Sequence, residues 1–212
     1  MTLQEVIEST GACRFYRPDP VPGDVLARVL DAARFAPSGG NRQPVRFIAV
    51  RDPDKKQKLT EWYLPICSSY VARLKEAAPP NPSRERLLAN ADHFAQHLDA
   101  VPVLLVVCAR LGDVLATDQG LNRLSIVGGA SVYPAVQNVL LKAREEGLGT
   151  ALTTLLCVVE PQVKDLLRIP DDISTAAMIT IGYPAKPFPK RVHRRPLAEL
   201  AFGDEYGRPL VG

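Results

Sequence analysis

Residues 33–44 hold the chain's densest set of side chains fit to bind a ligand: Ala33-Arg34-Phe35-Ala36-Pro37-Ser38-Gly39-Gly40-Asn41-Arg42-Gln43-Pro44. Ser38, Asn41 and Gln43 place donors and acceptors close to the backbone. Gly39 and Gly40 allow the main chain to approach a ligand closely. That mixture suits the pyrimidine carbonyls and ribityl hydroxyls of a flavin. The same residue types also build a plain helix-to-strand turn, and composition alone leaves the two readings level.

Other chemistries are poorly served. Gly129-Ala130-Ser131 lacks the second glycine of a serine-hydrolase elbow. Gly147-Leu148-Gly149 opens like a dinucleotide fingerprint, but Leu152 stands where the third glycine belongs and the segment leads into a strand. No phosphate-binding G-x-x-x-x-G-K-[ST] loop occurs. His93 and His97 have the i, i+4 spacing of metal ligands, with Asp92 and Asp99 nearby. Nothing completes a ligand set, so they read as two surface histidines and no metal is expected. Cys13, Cys67, Cys108 and Cys157 are far apart in sequence and read as small buried hydrophobes.

The 212 residues suit one domain, 1–212, with a sizeable core. Basic residues exceed acidic ones by only 26 − 23 = 3, which argues against a nucleic-acid partner and accommodates a small anionic ligand. The start, Met1-Thr2-Leu3-Gln4-Glu5, lacks the features of a signal peptide. The most apolar stretch, residues 101–109, is too short to span a bilayer. A cytoplasmic protein without a membrane partner is expected.

The elements that must position these residues follow from periodicity. Helices are expected over residues 2–10, over 24–35 with the stripe Val25, Leu26, Val29, Leu30 and Ala33, from 52 towards 76, over 84–99, over 131–146 and over 160–168. Strands are expected over 45–50, 103–109, 150–159 and 174–182. The proline-dense stretch 77–83 reads as a loop able to act as a flap. From 183 to 212 the chain is rich in proline and arginine, a poor core but a good arm for a partner subunit. The sum is an α+β fold with a small central sheet flanked by helices.

The loop resembles the P-S-x-x-N-x-Q-P hallmark of the nitroreductase family, which follows an A-A-R helix there as it does here. Further segments resemble that family in the same order. Arg14 to Pro22 resembles its R-x-F-x-x-x-P-V start, and Val103 to Val107 its central strand. Ala135 to Leu141 with Gly147 to Thr150 resembles its A-x-Q-N-x-L-L helix and G-L-G exit. Arg194-Arg195-Pro196-Leu197 resembles its R-R-P-L element. The likeness runs from about residue 3 to about residue 200.

The resemblance implies a mainly antiparallel sheet in an intertwined homodimer, with non-covalent FMN at the subunit interface. It also implies NAD(P)H as reductant and a small oxidant such as a nitroaromatic, quinone or enone. The flavin then carries the chemistry, and no catalytic side chain is expected. Carried over residue by residue, Arg14 would lie at the flavin pyrimidine. Pro37, Ser38, Gly39 and Asn41 would reach the FMN of the other subunit, with Gln43 supporting the loop. Gln137 would face ribityl or phosphate. Leu152, Thr153 and Thr154 would present backbone to the central ring, and Arg194 with Arg195 would bind phosphate. The alternatives are a flavin-binding or storage protein without turnover and a flavin-consuming or dehalogenating relative. The sequence departs from the family at Thr10-Gly11-Ala12, where R-R-S is usual, and at Val45, where tryptophan is common. The phosphate must then draw its cations from Arg14, Arg17 and the run Lys190 to Arg195, with Arg194 taking the larger share.

Overall fold

The structure, a computed structural model, describes residues 1–77, 79 and 81–210. In chain order it contains α1 (Leu3–Ser9), α2 (Gly23–Asp31), β1 (Val45–Val50), α3 (Pro53–Glu76), α4 (Pro82–Gln96), β2 (Val103–Arg110), α5 (Tyr133–Glu145), β3 (Gly149–Thr153), α6 (Glu160–Leu167) and β4 (Ile173–Gly182). The helices begin and end where local chemistry dictates. Thr2 and Glu5 form a reciprocal capping box on α1. Asp52 and Asn81 accept the first free amides of α3 and α4, each followed by proline in the first turn. Past α5 the chain turns at Gly147 with φ +78°, a conformation that favours glycine, and the Leu148 amide closes on the Ala143 carbonyl at 2.8 Å.

The sheet has four strands in the order β1-β2-β4-β3, all neighbours antiparallel. Because side chains alternate faces, β2 feeds two cores. Leu104, Val106 and Cys108 pack with Met178 against α3, α4 and α6. Val103, Leu105 and Val107 pack with Ile179 and Ile181 against α2 and α5. Burial on both faces explains why residues 103–109 are a continuous apolar run rather than an alternating one. The fold is therefore α+β, as the pattern suggests, with an antiparallel sheet, as the resemblance implies. No helix among the described residues is long and apolar enough to cross a membrane.

Some boundaries differ from the sequence reading. The strand expected over 150–159 ends at Thr153, and Leu155–Val159 coil into a 3-10 turn that buries Leu156. A short apolar run fits either form, so periodicity could not separate them. Beyond this point Glu160 accepts from both the amide and the hydroxyl of Thr175 at 2.6 Å, occupying an amide that a longer ladder could have used. Helices α4 and α5 begin at Pro82 and Tyr133 instead of 84 and 131. The expected flap at 77–83 is shortened by α4, which begins at Pro82, and its residues 78 and 80 lie outside the described residues, as do 211 and 212 of the arm.

One ion cluster ties α2 to the end of α5. Arg28 and Lys142 both contact Glu146, each at 2.9 Å. Arg28 first, then Lys142, holds the Glu146 carboxyl down to about 2 from an ordinary 4.5. A lowered folded-state value stabilises the fold above the ordinary one and loses that stabilisation as pH falls. Denaturant titrations between pH 4.5 and 2 should therefore show stability falling with pH, and Glu146→Gln should flatten part of that slope. An unchanged slope in the variant would remove Glu146 from the account.

Candidate functional site

The polar loop owes its shape to an unusual backbone. Gly40, Asn41 and Gln43 all adopt left-handed φ, at +59°, +52° and +50°. For a residue other than glycine this costs about 1–3 kcal/mol, and such strain persists only where surrounding contacts enforce it. Here they do. The Ser38 carbonyl accepts the Asn41 amide at 2.9 Å, and the Ser38 hydroxyl accepts the Gln43 amide at 3.0 Å. Gln43 Nε2 donates to Asn41 Oδ1 at 3.1 Å. Ser131, just before α5, accepts the Gly39 amide at 3.0 Å. A cavity of about 210 Å³ lies on one side of the loop, against Pro37, Ser38 and Gln43. Another of about 410 Å³ lies on the other, where Gly39, Gly40 and Arg42 face Asp113 and Leu115.

A second cluster forms where the N-terminal segment crosses β3. Ala12 pairs with Thr150, and the Cys13 amide donates to the Thr150 carbonyl at 2.7 Å. The approach is so close that a Cβ on Gly149 would fall 2.6 Å from the Cys13 sulfur, so this position requires glycine. The Tyr16 hydroxyl donates to the Cys13 carbonyl at 2.8 Å and lies 2.7 Å from the Thr180 hydroxyl. Burial pushes the Tyr16 phenol well above its ordinary range, so it remains a neutral donor.

These contacts hold Arg14 beside the end of β3. Arg14, Leu152, Thr153 and Thr154 line one cavity of about 390 Å³, whose far wall is Tyr63, Cys67 and Tyr70 of α3. Leu152 is 43% exposed in a strand whose first residues are buried, which opens the strand's end to the cavity. Tyr63 donates to the Thr153 hydroxyl at 3.3 Å. Burial pushes its phenol up to about 12 and raises the Cys67 thiol. Near neutral pH neither supplies a nucleophile. The cavity offers walls, backbone and one cation rather than acid–base chemistry.

The structure thus gathers Arg14, Leu152, Thr153 and Thr154 in one place and Pro37, Ser38, Gly39, Asn41 and Gln43 in another. The loop leads into edge strand β1, and the Arg14 cluster sits on the opposite edge strand, β3. Three inter-strand spacings of about 4.8 Å put those edges roughly 14 Å apart. Gln137 is exposed on α5. Arg194 and Arg195 are exposed too: one donates to the His193 carbonyl at 2.8 Å and the other lies 3.9 Å from Glu199. Their segment is anchored by the Val192 amide on the Glu8 carbonyl at 2.7 Å.

From the sequence, the segment 62–82 has aromatics suited to covering a substrate but no assigned role, and Ser131 has no binding role. The i, i+4, i+7 spacing of Tyr63, Cys67 and Tyr70 carries the signal for the wall; the Ser131 contact spans 92 residues and leaves no local one. His93 is half-buried rather than a surface residue, stacked between Phe15 and His97 at 4.6 and 4.2 Å.

Comparison with known proteins gives a consistent picture. The model described as the nitroreductase family matches residues 7–183. Iodotyrosine deiodinase 1 of Rattus norvegicus is 27% identical over 86% of this chain, but the match spans only 62% of that protein's length. An NADH dehydrogenase of Thermus thermophilus is 29% identical over 88% of each chain. Among solved structures, oxidised iodotyrosine deiodinase bound to FMN and 3-iodo-L-tyrosine superimposes with a TM-score of 0.67 at 25% identity, covering 92% of this chain and 96% of that one.

Because Tyr16 is the buried tie that seats Arg14 beside β3, Tyr16→Phe should leave the Thr180 hydroxyl and Cys13 carbonyl short of a partner. The expected loss is about 1–3 kcal/mol in chemical denaturation. A loss below the error of the measurement would mean that the Ala12–Thr150 pairing seats the segment by itself.

Proposed function

The chain belongs to the nitroreductase family, and from that premise we propose that it is an FMN-dependent oxidoreductase, passing hydride from NAD(P)H to a small oxidant and acting as a homodimer in the cytoplasm. Residues 1–212 form its single domain in this reading, with 183–212 as an arm for the partner. The observation that carries the reading is the cavity shared by Arg14, Leu152, Thr153 and Thr154. A flavin needs a flat wall, backbone groups at the ring centre and a cation where reduced flavin gathers negative charge. The opened end of β3, the α3 tyrosines and an Arg14 without an ion pair among the described residues meet those needs.

FMN, when bound, supplies the centre that accepts and releases hydride. The chain's residues bind, orient and tune. Arg14 offsets charge at the pyrimidine edge. The backbone of Leu152, Thr153 and Thr154 faces the central ring, and the tyrosines of α3 exclude water from it. The loop Pro37 to Gln43 completes the site of the partner copy, since within its own chain a sheet's width separates it from Arg14. Arg194 and Arg195 of the arm are the phosphate cations that the family resemblance favours. Exposed apolar residues beside the loop support a second copy as the occupant of that face: Phe35 is 75% exposed and Leu115 65%.

The likeness to rat iodotyrosine deiodinase 1 favours a second reading, in which the oxidant is a halogenated phenol. Turnover of iodotyrosine against a nitroaromatic, with the same reductant, separates the two.

Anaerobic mixing of the FMN-loaded protein with NADH or NADPH should bleach the flavin absorbance, and a nitroaromatic or quinone should restore it. Flavin that binds but is not reduced would instead mark a storage protein. Asn41→Ala should weaken FMN by about 1–3 kcal/mol through unpaired polar partners. A variant that loses thermal stability but keeps the FMN dissociation constant would make the loop a turn and nothing more.

A further inference from the structure

A second cavity, of about 240 Å³, lies across Ala12 and Arg14 from the one along β3, and those two residues line both. Its remaining lining includes the segment Gly11 to Phe15, Asn90 of α4 and Lys186 of the C-terminal segment. The Lys186 ammonium sits 3.4 Å from the centre of the Phe15 ring, which itself stacks on His93 at 4.6 Å. An aromatic face attracts a cation without neutralising it. Among the described residues neither Lys186 nor Arg14 is in an ion pair, so the cavity holds two uncompensated positive charges. The segment between its cations and α1, Thr10-Gly11-Ala12, adds none.

Two cavities that share Ala12 and Arg14, one flat-walled and one cationic, suit a ligand with a planar ring and an anionic tail. A phosphate monoester carries about two negative charges near neutral pH, and burying it without cations is costly. Arg194, which the sequence favours for this role, is turned to the His193 carbonyl and lines neither cavity.

We propose that Lys186 binds the phosphate of a phosphorylated flavin whose ring lies along β3, with Arg14 between the two at the ring's pyrimidine edge, so that the chain selects FMN over riboflavin through Lys186. The inference rests on the flavin reading above. Pinned on Phe15, the Lys186 ammonium is held in place before the ligand arrives, which lowers the ordering cost of binding. Asn90 adds an uncharged donor to the same cavity.

The test is a pair of titrations on the full-length protein, following quenching of flavin fluorescence, with FMN and with riboflavin. Wild type should bind FMN more tightly than riboflavin. Lys186→Ala should lose about tenfold in FMN affinity, the scale of one charge-assisted contact, and keep its riboflavin affinity. Lys186→Arg should retain most of the FMN preference, and inorganic phosphate should compete with FMN in wild type but less in Lys186→Ala. Equal losses for both flavins would make Lys186 a support for Phe15, and an unchanged FMN affinity would leave the phosphate to the arm; either overturns the proposal while the flavin reading stands. Failure of wild type to bind either flavin overturns both.

Discussion

A four-stranded sheet buried on both faces keeps its two edge strands a fixed distance apart. Neither core can yield without exposing the other side of β2, whose residues from Val103 to Ala109 are all buried. The polar loop and the Arg14 cluster therefore lie at the edges and ends of the sheet. The strained loop enters β1 at one edge, and Arg14 meets the opened end of β3 at the other, roughly 14 Å away by three strand spacings. That separation supports the proposal that the two clusters are halves of sites shared between copies.

Each half is preorganised by its own means. The loop keeps Asn41 and Gln43 at left-handed φ through bonds from Ser38, Ser131 and its own side chains. The N-terminal segment is seated by one backbone pairing at Thr150 and one buried phenol, Tyr16. Seating of this kind matters for a cofactor site, because a cation fixed in place reorganises less when charge appears. Burial raises the Tyr63 phenol and the Cys67 thiol in the wall of the β3 cavity, in keeping with chemistry that resides in a bound cofactor.

Much of this was legible in the sequence because it is local. The stripe Val25, Leu26, Val29, Leu30 and Ala33 fixes α2 and the turn after it, and Pro53 and Gly147 mark a helix start and stop. The loop could be picked out by its polar residues and glycines. What escaped depends on distant partners. Strand β3 ends at Thr153 in part because Glu160 takes the Thr175 amide, and no local pattern in 150–159 encodes that contact. Ser131 supports Gly39 across 92 residues. Lys186 acquires meaning only once Phe15 stands beneath it. The left-handed φ of Gln43 has no signature in a residue type that rarely adopts it.

The central claim is that one copy's loop completes the other copy's site. Coexpressed heterodimers carrying Arg14→Ala in one subunit and Asn41→Ala in the other test it most directly. If the site is shared, one of the two sites combines both changes and the other is intact, so flavin titration should show half the sites binding with wild-type affinity. If each site lies within a single chain, every site carries one change, and the absence of any wild-type-affinity fraction would contradict the account.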